Sequence, residues 1–211
     1  MLLPRVEHKA PPRSRPRAEP LPKSARVLLL VDFINPLDFP SAKDIASAAV
    51  EAARITATLK RRLARQGVAV VYANDNYGVW RSDFDDGLAD CLQREGEAGE
   101  LARLLVPAEA DLRILKPRNS AFHATPLALL LQRMETKELV IAGLATDLCV
   151  LHTAMDAHQH GFSLRVPADC TAAESPEGKR AALDTMRRHL GADTRPAAAQ
   201  APTGDPRHAV C

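Results

Sequence analysis

Short apolar runs that alternate with amphipathic segments are the feature of this sequence that most limits its fold. The first predicted strand, Arg26–Val31, contains five consecutive apolar residues, which is typical of a strand buried on both faces of a parallel sheet. The segment Ala42–Gln66 carries apolar residues at a helical period and is followed by Gly67, which predicts a helix end. Further strands are predicted at Val68–Tyr72, Asp111–Leu115, Glu138–Ala142 and Phe162–Val166.

Helical segments between these strands complete the pattern. A loose helical stretch is predicted over Ser82–Leu105, and further helices over Leu127–Met134 and Asp147–His160, with a last one opened by Ser175 and Pro176. The alternation predicts an α/β fold: a three-layer α/β/α doubly wound parallel sheet, Rossmann-like, with about six strands in the order 3-2-1-4-5-6. The sixth strand is expected near Ala192–Arg195, where β-branched residues are scarce.

The length of 211 residues suits one domain, predicted to span residues 24–194. Residues 1–23 are rich in proline and arginine and are predicted to be a disordered tail. A nucleic-acid or targeting arm is the alternative for this tail. Residues 195–211, rich in proline and alanine, are predicted to be a second tail.

Composition narrows the function classes. A formal net charge of +2 gives little reason to expect nucleic acid or a membrane as a partner. No apolar run approaches the ~20 residues that a membrane helix needs. The four cysteines show no C-x-x-C spacing, so neither a zinc site nor a disulfide framework is indicated. Without an apolar secretory core at the N-terminus, a cytoplasmic location is expected, where thiols stay free.

Two reactive side chains follow predicted strands of this sheet. Asp32 comes directly after the first strand, and Cys149 comes after the fourth by way of a short turn. In open parallel sheets ligands bind beyond the carboxyl ends of the strands, so these groups are candidates for one site. Cys149 would lie in the first turn of a helix, where free amides and the helix dipole favour a thiolate and lower the thiol pKa. A buried cysteine that serves only as a small apolar residue is the competing interpretation.

Lys116 ends the third predicted strand and could supply positive charge to both groups. Its position raises a geometric difficulty. In the order 3-2-1-4 the third strand lies about 10 Å from the first, since neighbouring strands are spaced ~4.8 Å apart. The lysine side chain, or the loop after it, must therefore lean back over the sheet. An exposed lysine at a strand end is the alternative.

Three segments together resemble the isochorismatase-like cysteine hydrolases, the superfamily of nicotinamidases, N-carbamoylsarcosine amidase and ureidoacrylate amidase. They are VLLLVDFIN (Val27–Asn35), LKPRNSAF (Leu115–Phe122) and VIAGLATDLCVLHTAMDAHQHGF (Val140–Phe162). The resemblance implies Asp32 as base, Lys116 as the lysine of the triad and Cys149 as nucleophile. It further implies a cis peptide between Leu144 and Ala145, with the backbone N–H groups of Ala145 and Cys149 forming an oxyanion hole.

The chain departs from the nicotinamidases where those enzymes carry a metal-binding D-x-H. Asp75 matches the aspartate, but Tyr77 stands in the histidine position. One carboxylate with amides is a poor zinc site, so no metal and no cofactor are expected. The cluster of His152, His158 and His160 lacks the spacing of ligands on one helix face.

The expected activity is cysteine-dependent hydrolysis of a C–N bond (amide, carbamoyl or ureido) in a small molecule through a thioester. Phe33, Trp80 and Phe122 are expected to contact the substrate, since they adjoin catalytic positions or lie on a loop near the crevice. A homo-oligomer is expected. Two alternatives stay open: hydrolysis of a vinyl ether of the isochorismate type, which needs no thiol, and a binding protein that kept the fold without catalysis.

Overall fold

In the computed structural model, which describes residues 20–81 and 83–198, helices flank a parallel sheet of six strands. The strands are β1 (Arg26–Val31), β2 (Ala69–Asp75), β3 (Leu112–Lys116), β4 (Glu138–Leu144), β5 (Ser163–Arg165) and β6 (Thr171–Ala172). The helices are α1 (Ala42–Ala64), α2 (Phe84–Gln93), α3 (Gly96–Leu104), α4 (Leu127–Arg133), α5 (Leu151–Gln159) and α6 (Pro176–His189).

Alternate residues of the strands face two separate hydrophobic cores. Leu28 and Leu30 of β1 belong to one core with residues of α1, α2 and α3. Val27, Leu29 and Val31 belong to the other core with residues of α4, α5 and α6. Side chains of a strand point alternately to opposite faces, so the sheet is covered on both sides. This confirms the predicted three-layer α/β/α architecture.

The strand order is β3-β2-β1-β4-β5, as predicted for the first five strands. Val31, the last residue of β1, pairs with Ala73 of β2 on one side and with Gly143 of β4 on the other. The carboxyl ends of the three central strands therefore reach the same edge of the sheet. That edge holds the candidate site.

The sixth strand lies elsewhere than predicted. Around Ala192–Arg195 only an isolated bridge forms, between Asp193 and Arg165 of β5, among the residues that the structure describes. The Asp193 carboxylate instead accepts hydrogen bonds from the nearby Arg195. Because β5 is short and pairs only with the start of β4, the end of β4 is open to β6, which pairs there in parallel.

The stretch predicted as one loose helix over Ser82–Leu105 forms two helices, α2 and α3, with Ser82 outside the described residues. Asp83 caps α2 by accepting a hydrogen bond from the Asp86 amide. Gly96 begins α3 with a φ of 68°, a left-handed conformation that favours glycine and separates the two helices. No helix of the described ranges is long and apolar enough to cross a bilayer.

At the C-terminal boundary, Ala197 is buried in the core and its amide donates to the Asp169 carboxylate. The folded part of the chain therefore extends beyond the predicted boundary at residue 194. At the other end Leu21 packs against the core, inside the segment predicted as a tail. The remaining tail residues, 1–19 and 199–211, lie outside the described residues, and for them the disordered tails stay predictions.

Gly143 is the position in the sheet least able to carry a side chain. It has a φ of 151°, and a Cβ built there would lie 2.1 Å from the Val31 carbonyl oxygen. We expect Gly143→Ala to destabilise the fold by about 2 kcal/mol or more, because both backbone and neighbour must shift. Urea unfolding measures the difference. Gly87→Ala, a helical site where an added Cβ would meet no heavy atom within 4 Å, should be neutral or stabilising. Equal stability of both variants would contradict this interpretation.

Candidate active site

Asp32 is held at the end of β1 by its backbone and by its carboxylate. Its amide donates to the Ala73 carbonyl (3.0 Å), and its Oδ1 accepts from the Asp75 amide (2.7 Å). The residue has a φ of 51°, in the left-handed region that aspartate visits more readily than most residues. These contacts fix a buried carboxylate at the edge where β1 and β2 end.

Lys116 resolves the geometric difficulty through the reach of its side chain. It ends β3, two strands away from β1, and pairs with Asp75 in the register of β2. Its side chain is 0% exposed, and its Nζ lies 2.8 Å from Asp32 Oδ2. The same Nζ donates to the Arg118 carbonyl (3.2 Å) and lies 3.5 Å from Asp75 Oδ2. The ammonium is therefore buried at the edge of the sheet where β1 ends, and the alternative of an exposed lysine is wrong.

Cys149 completes the group from the other side of β1. It lies in a π-helical turn, Thr146–Val150, that joins β4 to α5, where a regular helix start was predicted. Such turns occur frequently at functional sites. Its Sγ lies 3.5 Å from Lys116 Nζ, and the Asp32 carboxylate is near enough to raise the pKa of the thiol. The structure thus brings together the three residues that the sequence placed on separate strands.

The electrostatics of the thiol differ from the expectation. Burial and the negative charge of Asp32 raise the pKa of Cys149 to about 12, although Lys116 acts in the opposite direction. Burial raises the pKa of Asp32 as well, against the charge of Lys116. For Lys116 burial favours the neutral form, but Asp32 and Cys149 outweigh it and raise the pKa. The raised pKa values favour a protonated thiol beside an ammonium, so Cys149 would need a base to become a thiolate.

A cavity of about 230 Å³ opens over Cys149. Apolar side chains form part of its wall, namely Leu37, Phe39, Ile45, Leu144 and Leu148. Polar residues form the rest: Asp32, Asn35, Asp75, Tyr77, Asn119, Cys149 and Glu174, together with Ala145. The peptide bond between Leu144 and Ala145 is cis, as the resemblance implied. A cavity of this size suits a small molecule.

The three aromatic residues expected to contact substrate do not line this cavity. Phe33 is fully buried in the core that packs on α1. Phe122 stacks on His160 with ring centroids 4.9 Å apart and packs against Phe162, so its role is structural. Trp80 is 82% exposed. Adjacency in sequence placed Phe33 and Phe122 near the site, but their side chains point into the cores.

Sequence reasoning missed two contributors to the site. Asp75 was considered only as a metal ligand, yet its amide orients Asp32 and its carboxylate faces Lys116. The second strand was predicted to end at Tyr72, whereas β2 extends to Asp75, so the sequence did not place Asp75 at a strand end. Glu174, which lines the cavity, follows a strand that the sequence did not predict.

The residues at the D-x-H position do not fit a metal site. Asp75 Oδ1 accepts from the Tyr77 amide (2.6 Å), and Oδ2 faces the Lys116 ammonium. A cation there would have to displace both contacts, and Tyr77 supplies no nitrogen ligand. Within residues 20–81 and 83–198 no group of three His, Cys, Asp or Glu side chains is arranged to hold a metal ion.

The raised thiol pKa yields a test of the site. Because the Asp32 charge disfavours the thiolate, Asp32→Asn should move the pH profile of Cys149 alkylation by iodoacetamide at least about one unit lower. The wild-type midpoint should lie above the ~8.5 of a free cysteine. Mass spectrometry of the Cys149 peptide measures both. Asp44→Asn, which removes an exposed carboxylate on α1, is the matched control and should leave the profile unchanged. A profile that stays in place or moves higher in Asp32→Asn would contradict the geometry.

Comparison with known proteins agrees with the fold. Residues 26–199 match the family model of the isochorismatase domain. YaaI of Bacillus subtilis, an uncharacterized isochorismatase family protein, is 31% identical over 171 residues, which are 81% of this chain and 93% of YaaI. Maleamate amidohydrolase of Pseudomonas putida is 31% identical over 154 residues, covering 68% of this chain and 70% of that enzyme.

Solved structures show the same similarity. N-carbamoylsarcosine amidase from Thermoplasma acidophilum superposes with a TM-score of 0.60 at 26% identity, covering 83% of this chain and 98% of the amidase. The family model spans most of the chain, and a relative of the same family matches along nearly its whole length. The chain therefore belongs to the isochorismatase family.

Proposed function

We propose that the protein is a cysteine hydrolase that cleaves a C–N bond, of the amide, carbamoyl or ureido type, in a small molecule through a thioester. One observation carries the proposal: a single buried ammonium, Lys116 Nζ, contacts both the Asp32 carboxylate (2.8 Å) and the Cys149 sulfur (3.5 Å) beside a small cavity. A nucleophile, a base and a fixed positive charge in contact are the parts that nucleophilic catalysis requires.

The first step is proton transfer from Cys149 to Asp32. The thiol is protonated at rest because burial and the adjacent carboxylate raise its pKa to about 12. Burial also raises the pKa of Asp32, which makes the carboxylate a stronger base than an exposed aspartate. Lys116 stabilises the thiolate as it forms, because its ammonium lies 3.5 Å from Sγ. The thiolate then attacks the carbonyl carbon of the substrate.

The tetrahedral intermediate needs donors for its oxyanion. Backbone N–H groups of Ala145 and Cys149, which both line the cavity, are the proposed donors. In this proposal the oxygen of the attacked carbonyl accepts hydrogen bonds from these two N–H groups. As the intermediate collapses, the C–N bond breaks, and the amine leaves with the proton that Asp32 took from the thiol.

Hydrolysis of the thioester restores the enzyme. Asp32, again a carboxylate, takes a proton from a water molecule that attacks the acyl carbon. The C–S bond breaks, and the proton on Asp32 returns to the sulfur. One residue therefore acts as base in both halves of the reaction, and Lys116 keeps its charge throughout.

Relatives support this chemistry without fixing the substrate. Two of them are named as enzymes that act on C–N bonds, maleamate amidohydrolase and N-carbamoylsarcosine amidase. Their names specify different substrates, so the chemistry is common to them while the molecule that is cleaved is not. The cytoplasmic location and the homo-oligomer expected from the sequence remain part of the proposal.

Cys149→Ser tests the nucleophile. The hydroxyl keeps the geometry but is far harder to ionise than the thiol, and Asp32 is too weak a base to compensate. Ammonia release from a panel of small amides, ureas and carbamoyl compounds should fall at least about 10³-fold for any compound that the wild type cleaves. The melting temperature should change little, since the side chains have similar volumes.

Cys91→Ser is the matched control. Cys91 is also buried and its thiol pKa is also raised, to about 11, but it contacts neither Asp32 nor Lys116. This variant should keep wild-type turnover. Substantial activity in Cys149→Ser would reject the thioester route, and vinyl-ether hydrolysis, which needs no thiol, would then become the first alternative.

A further inference from the structure

Acidic groups dominate the ionisable lining of the cavity over Cys149. Three carboxylates line it, from Asp32, Asp75 and Glu174, and in the described ranges no lysine, arginine or histidine side chain does. Lys116 lies beneath the floor with its side chain 0% exposed, and it already contacts Asp32 and Asp75. Its single positive charge offsets only part of the charge of those two carboxylates and does not neutralise Glu174.

Glu174 is placed at the cavity by the topology of the sheet. It comes two residues after β6, and β6 pairs with Gly143 and Leu144 at the end of β4. The pairing brings Glu174 to the edge where the cis peptide and the catalytic turn begin. Its Oε1 accepts a hydrogen bond from the Ser41 hydroxyl (2.7 Å), at the start of α1. The carboxylate is thus tethered between two elements.

The charge of Glu174 is not neutralised by a neighbour. Among residues 20–81 and 83–198 no lysine, arginine or histidine nitrogen lies within 4.0 Å of it, and Ser41 occupies only one of its oxygens. Glu174 is exposed, and among the described residues its second oxygen accepts no hydrogen bond, so that oxygen is open to a ligand that donates one. A carboxylate-bearing ligand would meet repulsion at this wall, whereas an ammonium or an N–H group would find an acceptor.

We propose that the cavity selects cationic or uncharged amides over carboxylate-bearing ones, and that Glu174 is the specificity-determining residue. That the ligand is an amide rests on the proposed function, whereas the charge preference follows from the residues that line the cavity. The scissile carbonyl lies at Cys149, the body of the substrate contacts Leu37, Phe39 and Leu148, and its donor group lies at Glu174.

Charged methanethiosulfonates test the preference without knowledge of the substrate. These reagents transfer an S-alkyl group to a thiolate, forming a disulfide and releasing methanesulfinate. The 2-aminoethyl reagent is cationic, the methyl reagent neutral and the 2-sulfonatoethyl reagent anionic. Each rate at the Cys149 peptide is measured by mass spectrometry at low salt and divided by the rate with 2-mercaptoethanol. Division by the free-thiol rate removes the intrinsic reactivity of each reagent.

The cationic reagent should be favoured over the anionic one by about tenfold or more relative to the free thiol. Glu174→Gln should reduce that ratio severalfold, and added salt should weaken it. Glu177→Gln, which removes an exposed carboxylate on the first turn of α6 outside the cavity, should leave it unchanged. The proposal would be overturned if the wild type, after this normalisation, did not favour the cationic reagent over the anionic one. It would also be overturned if Glu174→Gln and Glu177→Gln gave the same cationic-to-anionic ratio.

A set of three amides separates this inference from the proposed function. The set is 3-aminopropanamide, butanamide and succinamate, which are cationic, neutral and anionic and similar in size. The wild type should show the highest kcat/KM for the first and the lowest for the last, and Glu174→Gln should narrow the difference. Preferred cleavage of succinamate would refute the charge preference and leave the amidase chemistry standing. Charge-selective labelling of Cys149 without cleavage of any amide would support the charge preference and count against the amidase chemistry.

Discussion

The buried ion pair between Lys116 and Asp32 is the interaction on which the site depends. Two charges out of water are costly, and removal of one partner from such a pair typically destabilises a protein by about 3–5 kcal/mol. Here the pair spans three strands, since Lys116 ends β3 and Asp32 follows β1. Each partner makes a further hydrogen bond: Lys116 donates to the Arg118 carbonyl, and Asp32 accepts from the Asp75 amide. The same contacts that compensate burial also orient the Asp32 carboxylate and place the ammonium 3.5 Å from the Cys149 sulfur.

The parallel register of the sheet makes this contact possible. β1 lies between β2 and β4, and Val31 pairs with residues of both, so the chain continues from all three strands at one edge. The approach of Gly143 to the Val31 carbonyl allows β4 to end beside Asp32, and the π-helical turn then directs Cys149 back toward it. β6 extends this edge and adds Glu174 to the wall. Sheet pairing therefore determines both the grouping of Asp32, Lys116 and Cys149 and the charge of the cavity.

Much of the fold and the composition of the candidate site were predictable from the sequence because they depend on local sequence patterns. The alternation of short strand-like segments with helical ones predicted the first five strands, and the positions of Asp32, Lys116 and Cys149 at or after strand ends predicted the candidate site. The directions of side chains and the pairing of strands distant in the chain were not predictable from the sequence. Phe33 and Phe122 point into the cores although they lie near Asp32 and Lys116 in the sequence, and the pairing of Thr171–Ala172 with β4 depends on the shortness of β5. The raised pKa of the thiol follows from burial and from the nearness of Asp32, which no sequence pattern reports.

In the proposed mechanism the Cys149 sulfur becomes covalently bonded to the acyl part of the substrate. Acid quenching of the enzyme within its first turnover on a cleaved amide, followed by mass spectrometry of the proteolytic peptides, detects this bond. We expect the Cys149 peptide to gain the mass of the acyl group and to lose it when the reaction runs to completion. Turnover with no adduct at any quench time, under conditions where a synthetic thioester on that peptide survives the quench, would contradict this mechanism.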